Sequence, residues 1–294
     1  MALALSFAVD LALGEPPLPL HPVVWTGRIS ERLIKPYRGR AYGVFLWFVS
    51  VVPVLVPLSA LWFLPFPWSL LSVYPLKSSF SVRLLYRLVK GSIPVTEESR
   101  KNAQQLVRRD VINAEPGLVR SAVIESLFES TVDGIVSPLF WYAVLGLPGA
   151  LLQRLANTMD SMVGYKTREL EREGWFSAKV DTVMNYIPAR LTGLLILASG
   201  YLLGYRPKGF LKTLREAKRA VESPNARWAF ASASSVLKVR LEKRGHYVVG
   251  EGELPKDEDV VKALRVFRVT LALFLLLEVA MIVPLSYLSP LLRP

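Results

Sequence analysis

Residues 41–76 form a run of thirty-six positions without a single charged side chain, and basic residues stand at both ends of it. No other feature limits the possible folds as strongly. A helical bilayer pass needs ~20 apolar residues, so the run suits two short, closely packed passes better than one. Pro53, Pro57, Pro65 and Pro67 would interrupt one long helix and give the chain a place to turn. Arg28, Arg32, Lys35, Arg38 and Arg40 precede the run, and Lys77, Arg83, Arg87 and Lys90 follow it. The positive-inside tendency puts both ends on the cytoplasmic side, as a helical hairpin over about 41–76 requires.

Three further charge-poor segments repeat the theme. Residues 135–153 are apolar but contain Pro138, Gly146, Pro148 and Gly149. Residues 191–205 give only fifteen uncharged positions, short for a pass. Residues 269–291 would span well except for Glu278, and an acid at that depth costs ~2.5–3.5 kcal/mol unless it faces protein or water. A packing partner on another helix is the ordinary explanation for such a residue. Met1–Leu13 is apolar, carries Asp10 and lacks a basic leader, so it reads as a short buried or interfacial helix. Strand-like alternation is scarce, and neither an internal repeat nor a low-complexity linker is visible. With 52% hydrophobic residues and a mean hydropathy of +0.34, the expected fold is all-α: a polytopic integral membrane helical bundle with re-entrant or broken helices and cytoplasmic helical loops. It is expected as one domain, 1–294, with residues 206–268 as a basic cytoplasmic segment.

The net charge is +12, but the basic residues lie between apolar stretches rather than along one polar face. That pattern favours lipid headgroups and phosphorylated substrates over nucleic acid. No cysteine is present, which excludes disulfides, thiolate metal sites and cysteine nucleophiles. Two histidines, His21 and His246, are too few for a histidine-rich metal site.

Several polar groups interrupt the apolar pattern. Glu125, Glu129 and Asp133 recur every four residues, which stacks three carboxylates on one helical face. A solvated stripe is the common reading of such spacing. Here the stripe runs directly into an apolar segment, which favours a site for Mg²⁺, an ion that takes oxygen ligands and bridges to phosphates. Asn157 and Asp160 stand one turn apart where the second apolar segment ends, followed by Lys166, a point charge suited to phosphate or to snorkelling at headgroups. Asp181 and Asn185 share a helix face, and Arg190 could clamp a phosphate or anchor a helix. Ser223-Pro224-Asn225-Ala226 reads as a turn that starts a helix. There is no Walker A loop, dinucleotide fingerprint or serine-histidine-acid arrangement.

Taken in order, these blocks resemble the adenosylcobinamide-phosphate synthase family of cobalamin biosynthesis, the CobD/CbiB family. The matching stretches are Asp10 with Leu13-Gly14-Glu15-Pro16, His21-Pro22 with Gly27-Arg28, Glu125–Trp141 and Leu147-Pro148-Gly149-Ala150. They continue through Asn157–Lys166, Gly174–Ala178, Asn185–Thr192 and Ser223–Ala226. Glu15 and Ser130-Thr131 depart from the commoner residues at their positions, and Gly245-His246-Tyr247 carries no assigned role. The resemblance implies an acid–amine ligase that joins adenosylcobyric acid to (R)-1-aminopropan-2-ol or its O-phosphate, using ATP and Mg²⁺. The residues assigned on that basis are Glu129, Asp181 and Lys166 for catalysis, and Glu125, Asp133, Asn157, Asp160 and Lys166 for the nucleotide. Glu125, Glu129, Asp133 and Asp160 would hold the metal, and His21, Ser137, Asn185, Arg190 and Asn225 the substrates.

ATP is cytoplasmic, so these groups should open to the cytoplasm from a multi-pass protein of the cell membrane. Residues 135–153 must then be re-entrant or buried in protein, and 191–205 non-spanning. An intramembrane prenyltransferase would need a second Asp-rich element, and a transporter usually shows repeated halves. Neither is present in this sequence.

Overall fold

The computed structural model describes residues 1–164 and 169–288, with side chains through residue 282. Among the described residues thirteen α-helices follow one another: α1 Ala2–Leu13, α2 Pro22–Leu33, α3 Arg40–Ala60, α4 Val73–Lys77, α5 Arg83–Lys90, α6 Ser99–Leu106, α7 Pro116–Thr131, α8 Ser137–Val163, α9 Trp175–Met184, α10 Tyr186–Leu202, α11 Phe210–Ala220, α12 Ala226–Leu237 and α13 Asp257–Leu288. A five-residue π-turn, Val132–Val136, joins α7 to α8. The only strands among the described residues form an antiparallel hairpin, β1 Leu241–Lys243 with β2 Tyr247–Val249, in register Leu241 to Val249. It lies within the basic 206–268 segment.

The chain packs as two compact units, each assembled from separated stretches. The first comprises residues 1–81, 133–185 and 278–294, the second 82–132 and 186–277.

In the first unit, α3 and α8 pack face to face. Leu46, Trp47, Val51 and Val54 of α3 meet Leu155, Ala156, Met159 and Val163 of α8, with Met184 of α9 closing the cluster. Because 155, 159 and 163 recur every four residues, the apolar face of α8 is spent on α3, and Gln153, Arg154 and Asn157 lie off that face. The paired passes expected over 41–76 are not both helices. One continuous helical stretch, Arg40–Phe63, is followed by a 3-10 turn, Trp68–Ser72, and the five-residue α4. Pro53 and Pro57 lie inside α3 instead of ending it. Each proline removes one backbone hydrogen bond, whereas leaving the helix within an apolar run would strand many more.

The expected break in 135–153 is present. Gly146 has φ +68°, ψ −158°, a conformation that favours glycine, and it divides α8 into two arms. A Cβ placed on Gly149 would overlap the carbonyl oxygen of Trp141, eight residues earlier. In a straight helix those residues would be ~12 Å apart, so the chain doubles back at Gly146.

In the second unit, α12 is the central helix, with Ala229, Phe230, Ala231, Ala233 and Val236 buried against α7, α10 and α11. Its small residues let helix backbones approach closely. A Cβ on Gly193 of α10 would lie 3.1 Å from the Ser232 hydroxyl, and one on Gly200 2.8 Å from Val236.

Two helical stretches are long and apolar enough to cross a membrane, Arg40–Phe63 and Pro116–Val163. The first is only 28% buried within the protein and exposes Phe45, Phe48, Val52 and Val56. A core helix of a soluble protein would hide such a face. Both α1 and α10 are apolar but shorter.

Candidate functional site

The first unit holds two polar networks, both touching α8. One begins at the N-terminus. Asp10 on α1 and Lys77 on α4 are fully buried and paired at 2.9 Å, and Lys77 also reaches Glu15 at 3.0 Å. The other Glu15 oxygen meets His21 Nε2 at 3.2 Å. His21 is the N-cap of α2, where its Nδ1 accepts the Val23 N–H at 3.3 Å. Since Nδ1 is an acceptor, the ring proton sits on Nε2 and donates to Glu15. His21, expected to bind substrate, here positions a carboxylate and starts a helix. Burial raises the Glu15 carboxyl, but the bond from His21 and the Lys77 charge outweigh it and hold the group at about 2. Partly buried Arg154 on α8 lies within the fields of Glu15 and Asp133.

The second network brings together Asn157, Asp181, Asn185 and Ser137 of the expected site residues, with the Asp133 backbone. Asn157 donates to Asp181 Oδ1 at 3.1 Å, and Asn185 donates to the same oxygen at 2.9 Å. Gln153 donates to Asn185 Oδ1 at 3.0 Å and to the Asp133 carbonyl at 3.3 Å, which ties α9 and the π-turn to α8. Ser137 and the Trp141 indole both donate to the Met184 carbonyl, at 3.5 and 2.8 Å. Two amides therefore fix one Asp181 oxygen, while Oδ2 has no protein hydrogen bond among the described residues. Burial pushes the Asp181 carboxyl above the usual aspartate range, and the two amide bonds pull the other way. Asp160 lies beside Gly164 at the end of α8. Lys166 lies outside the described residues.

The second unit holds Glu125, Glu129, Arg190 and Asn225. Both Glu125 oxygens are engaged. Arg109 and the Tyr247 hydroxyl donate to Oε2 at 3.0 and 2.7 Å, and Ser121 donates to Oε1 at 2.6 Å. Ser121 in turn accepts the Glu242 N–H at 2.7 Å, so the knot fastens the β-hairpin to α7. Burial first, then the charge of Glu125, raises the Tyr247 phenol well above its ordinary range. The π-turn ends the α-helical register after Thr131, so the spacing 125, 129, 133 no longer describes one α-helical face. Arg190 and Asn225 do meet: the guanidinium donates to Asn225 Oδ1 at 2.9 Å and lies 3.4 Å over the Tyr186 ring.

Among the described residues, no three acidic or imidazole side chains gather as a metal cage would require. Of the four carboxylates expected to hold Mg²⁺, Glu125 and Glu129 lie in the second unit and Asp133 and Asp160 in the first. The sequence reading also missed several contributors: Lys77, Arg109, Gln153, Arg154 and Tyr247. Gln153-Arg154 had a visible signal, since it ends the apolar run one turn before Asn157. Tyr247 had none.

The fold and its polar groups define a class: a helical protein with membrane-length apolar helices and a buried carboxylate–amide cluster. The sequence profile described as CobD/Cbib protein matches residues 3–274, and the chain belongs to that family. Relatives named as probable cobalamin biosynthesis protein CobD include one from Pyrococcus furiosus, 39% identical over 94% of this chain and 96% of its own. Another, from Methanothermobacter thermautotrophicus, is 37% identical over 93% of this chain and 95% of its own. A third, from Aeropyrum pernix, is 41% identical over 90% and 87% respectively. No solved structure matches the chain.

Proposed function

We propose that this protein forms the amide between a propionate carboxylate of adenosylcobyric acid and the amine of (R)-1-aminopropan-2-ol or its O-phosphate, at the cell membrane and with consumption of ATP. Membership of the CobD/CbiB family makes the chain a component of cobalamin biosynthesis, and a corrinoid is the substrate class that follows. The observation that carries the finer reading is the Asp181 cluster. A carboxylate is a poor acyl donor, and ATP with Mg²⁺, when bound, supplies its activation. Asp133 and Asp160 are the first unit's candidates to meet a metal carried on phosphates, a mode that needs only one or two carboxylates. The chain must still provide a base, because the amine reaches the enzyme as an ammonium and attacks only after losing a proton. Asp181 Oδ2 accepts that proton before the C–N bond forms, which frees the nitrogen lone pair to attack. A raised carboxyl is better matched to this transfer than an ordinary aspartate. Asn157 and Asn185 hold Oδ1 and so fix the direction in which Oδ2 points. Arg190, held flat by Tyr186 and Asn225, is the second unit's candidate for a substrate phosphate or carboxylate.

Purified protein incubated with adenosylcobyric acid, ATP, Mg²⁺ and either amine should yield the amide, detected by mass spectrometry. A folded preparation that makes no product with either amine would refute the reading. For topology, the chain contains no cysteine of its own, so cysteines introduced at Arg120, Arg172 and Lys238 can be labelled one at a time. Labelling from the cytoplasmic face alone supports a site on that side, and labelling of any of them from the opposite face refutes it.

A further inference from the structure

Glu278 is the group that the proposed reaction leaves unused and the fold leaves unexplained. It is fully buried, and neither carboxylate oxygen has a hydrogen-bond partner among the described residues. Buried carboxylates are normally paired, because leaving one without a donor costs several kilocalories per mole. Asp10 and Glu125 in this same chain follow that rule. An orphaned acid that persists in a packed interior is therefore better explained by a ligand than by the fold.

Its surroundings in the first unit specify the ligand's charge. Glu278 lies within electrostatic reach of the Tyr142 phenol. The Tyr142 ring packs edge-on against Trp62, with centroids 5.6 Å apart. Trp62 covers the break in α8: a Cβ on Gly146 would lie 3.1 Å from the indole nitrogen. The first arm of α8 ends at that break, and the carbonyl end of a helix carries the negative end of its dipole. A buried carboxyl group with no protein donor, an aromatic pair beside it and a helix C-terminus all favour positive charge. Among the described residues no side chain donates to Glu278, and no three acidic or imidazole side chains gather for a divalent metal.

We propose that Glu278, Tyr142, Trp62 and the Gly146 break form a binding site for a compact monocation. Two sources share that chemistry: an alkali ion, and the primary ammonium of the amine in the proposed reaction. Only the second source rests on that reaction, and binding is measured without ATP or corrinoid, so failure of one idea leaves the other standing.

The test is thermal unfolding of the full chain in nanodiscs, at constant ionic strength maintained with choline chloride. Sodium, potassium and (R)-1-aminopropan-2-ol are titrated separately. The expected result is a saturable rise in Tm with at least one of the three. A rise with sodium or potassium alone identifies an inorganic ion, and a rise with the amine alone identifies the substrate ammonium. E278Q should lose the rise while its ligand-free Tm stays equal to or above that of wild type, since no protein contact is removed. E278L should raise the ligand-free Tm. W62F, which keeps a ring but weakens its electrostatic attraction, should bind the same cation several-fold more weakly. The proposal is overturned if no cation gives a saturable rise, if E278Q keeps it, or if E278Q and E278L are less stable than wild type. The last result would mean that the carboxyl supports the fold.

Discussion

Two carboxylates, the buried Glu125 and the partly buried Asp181, are embedded in polar networks of similar size but are held in opposite ways. Glu125 has donors on both oxygens, from Arg109, Ser121 and Tyr247, and these link stretches of chain up to 122 residues apart. Asp181 is gripped by two amides on one oxygen only, leaving the second oxygen available. Acidic residues at helical spacing therefore do not by themselves indicate chemistry. A saturated carboxylate fastens elements together, whereas one left half-satisfied can exchange a proton or meet a ligand.

Variants can break this contrast or sharpen it, and the largest effect should come from Asp181. Asp181→Asn keeps the shape but removes the base, so kcat should fall by ~10²–10⁴ with Tm unchanged; an active, equally stable variant would break the contrast. Glu125→Ala should do the reverse. It leaves the partly buried Arg109 without its carboxylate and Ser121 and Tyr247 without an acceptor, and should cost ~3–5 kcal/mol in denaturant unfolding, with activity following the folded fraction. Tyr247→Phe tests the same knot more gently, with an expected loss of ~1–3 kcal/mol. Asn157→Ala removes a bond that lowers the Asp181 carboxyl, so the acid limb of the pH–rate profile should move to higher pH. An unmoved limb would mean that Asp181 is not the titrating base. Glu15 should show the smallest effect. Its carboxyl is held at about 2 against an ordinary value of 4.5. The stability it contributes is complete above the ordinary value and is lost as pH falls toward 2. Glu15→Gln should therefore flatten the acid side of the stability profile across that interval.

Local patterns in the sequence predicted local structure well. Gly146 and Pro148 marked the break in α8 because positive φ and a missing N–H act on the backbone where they stand. The pairing of Asp181 with Asn185 followed from a four-residue spacing inside one helix. Pro53 and Pro57 misled for a physical reason: in an apolar run the backbone's need for internal hydrogen bonds outweighs the two that proline removes. The role of Glu125 was illegible because its partners, Arg109 and Tyr247, arrive from the preceding loop and from a β-hairpin whose pattern is too short to read. The cap made by His21 could have been inferred from the proline after it, a residue favoured in the first helical turn. Its bond to Glu15 depends on the intervening turn, which spacing alone does not specify.

The doubling back of α8 also bears on how closely its two arms can lie. Where Gly149 meets the Trp141 carbonyl, the arms touch backbone to backbone. A side chain at residue 149 would act as a wedge at the hinge, so the absence of one fixes the angle at which the second arm, and with it Gln153 and Asn157, leaves the bend.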